Sequence, residues 1–198
     1  MNFVFRDNRG NRYVGTAGHC ALKAPGQRVW SSRSGPQAND GDGDVIGRFT
    51  YAIWHGAGDA ADFALVRLFA RVKTDAEMCH FGGPTGIDSS SSSDPVVLQF
   101  FGNGAGIGNL LIINQTVLPG RSAVAPEMRD REEVLAPGVA VAGDSGAPVT
   151  ESSQDRAIGL LVGARPDPFI LVTRIEPAMR RAERALGVDL RMVTAKAN

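Results

Sequence analysis

Residues 143–148 read Gly-Asp-Ser-Gly-Ala-Pro, and this stretch decides the fold class when it is taken together with two others. Residues 16–20 read Thr-Ala-Gly-His-Cys, and residues 62–68 read Asp-Phe-Ala-Leu-Val-Arg-Leu. Acyl transfer by a serine hydroxyl needs a base that takes the hydroxyl proton and a carboxylate that orients this base. The three stretches supply a histidine, an aspartate and a serine in that order.

The candidate catalytic residues are therefore His19, Asp62 and Ser145. A Gly-Asp-Ser-Gly segment on its own is also ordinary turn chemistry, so it would mean little without the other two. The combination is more specific, because Asp62 follows His19 by 43 residues and Ser145 follows Asp62 by 83. Asp59, three residues before Asp62, is a rival carboxylate that the spacing leaves open.

The three stretches resemble the TAAHC, DIALLRL and GDSGGP signatures of the chymotrypsin/trypsin-like serine proteases. The resemblance extends from about Asn2 to Leu186 and is to a bacterial-type member with a truncated N-terminus. It implies an all-β fold of two antiparallel six-stranded β-barrels followed by a C-terminal helix. His19 and Asp62 would then lie on the first barrel and Ser145 on the second.

The resemblance also implies an activity. A serine endopeptidase of this family hydrolyses peptide bonds through an acyl-enzyme, which would form on Ser145, and needs no cofactor or metal. The backbone N–H groups of Gly143 and Ser145 would form the oxyanion hole, since glycine allows the backbone conformation that this requires. The expected partner is a polypeptide substrate, and the expected state is a monomer.

The chain away from these motifs agrees with an all-β fold. Short β-branched or aromatic runs alternate with Gly, Asn, Asp and Pro, as is typical of sandwiches and barrels. Residues 82–95 are rich in glycine and serine, which predicts a connector between two barrels. We expect an N-terminal barrel over residues 1–85, a C-terminal barrel over 95–175 and a helix over 176–187.

The helix is predicted from its own pattern. Apolar side chains recur on one face at helical spacing, Pro177 suits the first turn, and Gly187 is a natural stop. We expect the residues after Leu190 to fray, as chain ends usually do.

Composition limits the function classes. The chain has 198 residues with 43% hydrophobic content, which is enough for a substantial core. Lys plus Arg equals Asp plus Glu at 21 each, so no basic field attracts phosphates, and nucleic acid is not an expected partner. No run approaches 18 consecutive apolar residues, so no membrane span is expected.

Localisation and cysteine pairing rest on the resemblance. No secretory signal is recognisable before the first strand, but the family is exported, which implies a secreted or extracellular protein. In the family the cysteine after the catalytic histidine pairs with one on the preceding strand. Cys20 has no such partner in residues 1–4, so a bridge to Cys79 and two free thiols both remain open.

By the same resemblance the substrate pocket maps onto Val139, Val162, Gly163 and Ile170. None of these carries an acid, so a buried basic side chain would stay unpaired, and cleavage after apolar residues is expected. Leu161 falls where the family often has a serine that donates to the catalytic aspartate, and leucine cannot donate. This departure favours the alternative function, an inactive or weak homologue that binds peptides or proteins.

The last expectation concerns Asp144. In many relatives the matching carboxylate is buried and pairs with an N-terminal amino group freed by cleavage, which this chain begins too late to supply. Because an unpaired buried carboxylate is costly, an internal cation is expected instead. Arg121 is the first candidate, with Arg129 and Arg131 behind it.

Overall fold

The computed structural model of the chain describes residues 1–31, 33–59, 61–78, 82–89, 95–102, 115–121, 133–137, 140, 142–164 and 169–195. The first of its two sheets contains β1 (Val4–Asp7), β2 (Arg12–Thr16), β3 (Gly26–Val29), β4 (Gln37–Asn39), β5 (Val45–Trp54), β6 (Asp62–Leu68) and β14 (Leu190–Met192). The second contains β7 (Gly86–Ile87), β8 (Pro95–Phe101), β9 (Gln115–Arg121), β10 (Glu133–Pro137), β11 (Pro148–Glu151), β12 (Arg156–Ala164) and β13 (Phe169–Arg174). Helix α1 (Ile175–Leu186) joins β13 to β14.

Each sheet is a path of six strands to which a seventh short strand is attached. The first runs β14-β1-β2-β6-β5-β3 with β4 beside β5, and the second runs β10-β13-β12-β11-β8-β9 with β7 beside β12. Strands β9 and β10, at the two ends of the second path, lie close together, so that sheet curls toward a barrel. The predicted all-β class with two such units and a C-terminal helix is confirmed, although the hydrogen-bonded ladders of the described strands are open.

The hairpin of β1 and β2 is organised around a buried carboxylate. Gly10 turns the chain with a φ of +80°. The carboxylate of Asp7 accepts hydrogen bonds from the backbone N–H of Arg9 at 2.9 Å and of Asn11 at 2.8 Å. It also accepts bonds from Asn11 Nδ2 and the Tyr13 hydroxyl, each at 2.8 Å. Because these donors satisfy the carboxylate, Asp7 can carry a charge although the residue is only 7% exposed.

Three hydrophobic clusters form the core. One lies within the first sheet and includes Val14, Phe49 and Val66. Another lies within the second sheet and includes Leu161 and Ile170. The third joins both sheets to the helix, and its buried members include Phe5, Ala17, Phe63, Leu160, Val162 and Met179. Because this third cluster packs the two sheets together, it fixes the position of segment 16–20 relative to the second sheet.

Helix α1 has the predicted apolar face and stop. Its buried side chains include Ile175, Met179 and Ala182, and Gly187 ends it with a φ of +63°. Arg191 and Met192, directly after Leu190, do not fray as expected. With Leu190 they form β14, which pairs antiparallel with β1, because the Leu190 N–H donates to a glutamate side chain of the helix and the leucine side chain is buried.

The predicted division of the chain at residues 1–85 and 95–175 stays a prediction. The first sheet gains β14 from the end of the chain, so both chain ends contribute to it. Within the described residues, no helix is both long enough and apolar enough to cross a lipid bilayer.

Candidate active site

The histidine and the aspartate predicted to act together are hydrogen-bonded to each other. His19 lies on a short 3₁₀ turn, Gly18–Cys20, that directly follows β2, and Asp62 is the first residue of the neighbouring strand β6. One carboxylate oxygen of Asp62 accepts the His19 backbone N–H at 2.9 Å. The other lies 2.6 Å from His19 Nδ1. The two contacts fix both the position of the turn and the orientation of the imidazole.

This geometry decides the protonation of the ring. A carboxylate only accepts hydrogen bonds, so Nδ1 of His19 carries the proton and Nε2 is left to act as a base. The hydrogen bond that His19 Nδ1 donates to Asp62 raises the pKa of the imidazole above its ordinary value of 6.5. The side chain of Asp62 is only 4% exposed while that of His19 is 28% exposed. The pair is therefore shielded on the aspartate side and open to a substrate on the histidine side.

Trp54 completes the surroundings of the histidine. Strands β5 and β6 pair in a register that sets Trp54 opposite Asp62. The Trp54 ring lies 6.2 Å from the His19 ring, centroid to centroid, at a tilt of 59°. Sequence reasoning missed this residue, because its contact with His19 follows from strand register and not from a motif.

The serine segment folds back onto the histidine segment. Gly143 has a φ of +105° and Gly146 a φ of +88°, which only glycine adopts easily. A Cβ added at Gly146 would collide with the Thr16 hydroxyl and lie 3.0 Å from the backbone nitrogen of Ala17. The loop that carries Ser145 is thus pressed against the residues that lead into His19.

Backbone hydrogen bonds hold the serine loop in shape. The Gly146 N–H donates to the Leu161 carbonyl of β12 at 2.7 Å, and the Ala147 N–H donates to the Asp144 carbonyl at 2.9 Å. Among the described residues, no acceptor takes the N–H of Gly143 or of Ser145. No hydrogen bond joins Ser145 to His19 within the part of the chain that the structure describes.

A small cavity of about 150 Å³ opens beside Ser145. Its lining consists mainly of methyl groups and a glycine, and comprises Ala140, Ala142, Asp144, Ser145, Leu161, Gly163 and Ala164. Asp144 is itself buried, and a Cβ added at Gly102 would collide with its carboxylate. The cavity therefore suits a small, mostly apolar group next to the serine.

The residues predicted to form the substrate pocket lie in different places. Gly163 lines the cavity beside Ser145, and so does Leu161, which also packs into the core of the second sheet. Val162 points the other way, into the cluster between the sheets, because side chains alternate along β12. Ile170 is fully buried in the core of the second sheet, and Val139 lies outside the described residues.

Asp59, the rival carboxylate, lies away from His19 in the structure. It accepts the N–H of Ala61 at 2.7 Å and lies 3.7 Å from the imidazole of His55.

The cationic candidates for Asp144 stay predictions, whereas the alternative of a bridge at Cys20 is not seen. Arg121 ends β9 opposite Pro95, but the structure describes only its backbone. Arg129, Arg131 and Cys79 lie outside the described residues. Cys20 is an exposed free thiol. Within the described residues, no group of three or more His, Cys, Asp or Glu side chains could hold a metal ion.

Comparison with known proteins gives a result for structure but not for sequence. The sequence matches no protein-family model and no curated protein. The structure is similar to Protease A of Thermobifida fusca, with a TM-score of 0.57, 16% identity and coverage of 98% of this chain and 91% of that one. It is similar to the Nocardiopsis protease NAPase, with a TM-score of 0.54, 14% identity and coverage of 96% and 91%.

A third similar structure is Cellulomonas bogoriensis chymotrypsin, with a TM-score of 0.53, 19% identity and coverage of 98% of this chain and 90% of that one. Nearly the whole length of each chain is superimposed, so the likeness includes both sheets and the helix. At these identities it shows the architecture and leaves the chemistry to the residues of the site. The chain has the chymotrypsin-like fold, the fold of these serine proteases.

Proposed function

We propose that this protein is a serine endopeptidase that hydrolyses peptide bonds through an acyl-enzyme on Ser145. One observation carries the proposal: Asp62 holds Nδ1 of His19 at 2.6 Å, beside the loop that presents Ser145. The chymotrypsin-like fold supports it, because the similar solved structures named above are proteases.

The residues suggest roles for each step. His19 Nε2 takes the proton of the Ser145 hydroxyl as the oxygen attacks the substrate carbonyl carbon, and Asp62 stabilises the imidazolium that forms. The backbone N–H groups of Gly143 and Ser145 stabilise the negative oxygen of the tetrahedral intermediate. The imidazolium then gives its proton to the leaving amine as the C–N bond breaks. A water molecule, activated by the same imidazole, hydrolyses the ester on Ser145.

For the residue before the cleaved bond we propose a preference for small or medium apolar side chains. The support is the cavity of about 150 Å³ beside Ser145, whose walls are mainly alanine and glycine. An added methylene changes discrimination by only about 1–3 kcal/mol, so the preference should be broad. Since Asp144 also borders the cavity, a peptide library is the suitable test. Cleavage mainly after Arg or Lys would contradict this preference.

A second candidate is a homologue that binds peptides without turnover. The observation that favours it is that no hydrogen bond joins Ser145 to His19 among the described residues. Apo active sites often show such loose geometry, which is why the endopeptidase remains the first proposal. By resemblance we also propose that the protein is exported, acts on polypeptides and is monomeric.

Covalent labelling separates the two functions. A sulfonyl fluoride probe should modify Ser145 stoichiometrically in wild type, because an activated serine reacts far faster than an ordinary one. Ser145→Ala should take up no label, and Ser153→Ala, which changes an exposed turn serine, should label like wild type. A folded wild-type protein that stays unlabelled would favour the binding homologue.

A further inference from the structure

A second cavity, of about 480 Å³, opens beside the loop that follows the His19 turn. Its walls are that loop and strand β3 with the residues after it, and they include Leu22, Lys23, Arg28, Trp30 and Pro36. It is larger than the cavity beside Ser145, and the roles proposed above leave it unused.

The lining of the cavity begins directly after the His19 turn. The N–H groups of Ala21 and Leu22, which line the cavity, donate to the Gly18 carbonyl at 2.9 and 3.0 Å and so hold this wall against the turn that carries His19. On the far side, Gly26 of β3 pairs with Trp54. The Trp54 ring is the one that contacts the His19 ring. The cavity is thus bordered by the residues that follow the His19 turn and by the strand that pairs with Trp54.

The charge of the cavity has one sign. Lys23 and Arg28 are exposed side chains of its lining, and no described residue that lines it carries a carboxylate. Side chains alternate along a strand, so Arg28 and Trp30 share one face of β3 and its continuation. Leu22 is buried, and the Trp30 ring packs against Phe49 with centroids 6.5 Å apart. The result is an apolar floor with two cations above it.

We propose that this cavity binds an acidic side chain, aspartate or glutamate, in the substrate segment that follows the cleaved bond. The direction rests on the proposed function. The acyl half of the substrate stays with Ser145, and the amine half receives its proton from His19 and so lies on the histidine side. Lys23 and Arg28 would pair with the carboxylate while Trp30 covers its methylene stem.

Binding is measured without any need for turnover. The variant Ser145→Ala/Trp54→Phe leaves Trp30 as the tryptophan, since the chain has two, and its fluorescence reports on the cavity. The probes are the tripeptide amides Ala-Glu-Glu and Ala-Gln-Gln. We expect the acidic peptide to bind about threefold to tenfold more tightly, which is what two exposed ion pairs supply. The difference should shrink as salt is raised from about 0.05 M to 0.5 M.

Matched variants isolate the two cations. Lys23→Gln/Arg28→Gln should lose the preference for the acidic peptide. Lys73→Gln/Arg191→Gln removes the same amount of charge from exposed positions elsewhere and should keep it. Failure of the acidic peptide to bind, equal binding of both peptides, or an equal loss in the two double variants would overturn the proposal.

Turnover provides a second readout with Ser145 and Trp54 restored. Peptides with Glu directly after the cleaved bond should have a kcat/KM about threefold to tenfold above the Gln peptides, and Lys23→Gln/Arg28→Gln should bring the ratio near one. A chain that binds the acidic peptide but hydrolyses nothing would refute the endopeptidase and keep the cavity assignment. A chain that hydrolyses Glu and Gln peptides equally would refute the cavity assignment and keep the endopeptidase.

Discussion

At the scale of single residues, the site depends on a buried charge that is stabilised by few groups. The Asp62 side chain is 4% exposed, and a carboxylate so placed is costly unless donors surround it. Two of its donors, the backbone N–H and Nδ1 of His19, belong to one residue. The two hydrogen bonds that offset the cost of burying the Asp62 carboxylate therefore also orient the His19 imidazole.

The pH dependence of activity follows from this pair. Catalysis needs neutral His19, and Asp62 raises its pKa, so kcat/KM should rise with pH along a limb whose midpoint lies above 6.5. In Asp62→Asn the imidazolium loses its anionic partner, so the midpoint should move to lower pH. The maximal rate should fall by about 10⁴-fold, because the amide favours the wrong tautomer.

The control for this measurement is Asp59→Asn. Asp59 lies near the exposed His55 and should leave both the limb and the rate of wild type unchanged. An unchanged limb in Asp62→Asn would contradict the assigned role of that carboxylate.

Gly146 permits the contact between the serine loop and the histidine segment. Gly146→Ala would place a methyl group against the Thr16 hydroxyl and the backbone of Ala17, at a φ of +88° that disfavours any side chain. Strain of this kind costs about 1–3 kcal/mol, and it should also displace Ser145 from His19. Denaturant unfolding and sulfonyl fluoride labelling should therefore both report a loss.

Gly86→Ala is the matched comparison for that change. A methyl group at Gly86 would meet nothing within 4 Å, and its backbone has no positive φ. The two variants should differ clearly in stability and in labelling. Equal behaviour would mean that the close approach at Gly146 is not needed.

At the scale of elements, the first hairpin depends on its buried aspartate. Burial alone would raise the pKa of Asp7, but hydrogen bonds from Asn11, Tyr13 and the backbone outweigh it and lower that pKa. The stabilisation from ionised Asp7 is therefore present above its unfolded value of 3.8 and is lost as pH falls through the lower folded value. The hairpin of β1 and β2, which leads to His19, should therefore lose stability only at acidic pH.

Asp7→Ala should remove about 2–3 kcal/mol from the free energy of unfolding near neutral pH, because four hydrogen bonds lose their acceptor. The cost should shrink in urea titrations carried out at increasingly acidic pH below 3.8, as the wild-type carboxyl takes up a proton. Asp75→Ala changes an exposed turn aspartate that accepts one backbone N–H, and should cost much less. A cost that is independent of pH would contradict the role of the ionised form.

At the scale of the whole molecule, one hydrophobic cluster joins the two sheets and the helix next to the candidate site. Ala17 and Phe63 of the first unit pack with Leu160 and Val162 of the second and with Met179 of the helix. The residues proposed to act together, His19, Asp62 and Ser145, come from segments on both sides of this shared cluster. Packing between the sheets thus sets the distance between Ser145 and His19.

Strand β14 forms one edge of the first sheet, and a core substitution tests its packing. Leu190 is 6% exposed, lies in the shared cluster and begins β14. Leu190→Ala should lower the free energy of unfolding by about 2–4 kcal/mol. Arg191→Ala, the exposed neighbour in the same strand, should change it by less than about 0.5 kcal/mol. Equal effects would mean that β14 does not pack as described.

The sequence by itself determined the elements whose signals are local. The short β-branched runs predicted an all-β chain, and the apolar face with Gly187 predicted the helix. The three motif stretches predicted His19, Asp62 and Ser145, of which the structure joins the first two by a hydrogen bond and places the loop of the third against Thr16 and Ala17, which precede His19.

Only the tertiary structure decided features that depend on strand register or on which face a strand buries. Both faces of β12 are apolar and buried, so its pattern could not tell that Leu161 faces the second core and Val162 faces the cluster between the sheets. The contact of Trp54 with His19 depends on the register of β5 and β6, which shifts at a bulge after Phe49. Strand β14 is three residues long, too short for a periodic signal, and its partner lies at the opposite end of the chain.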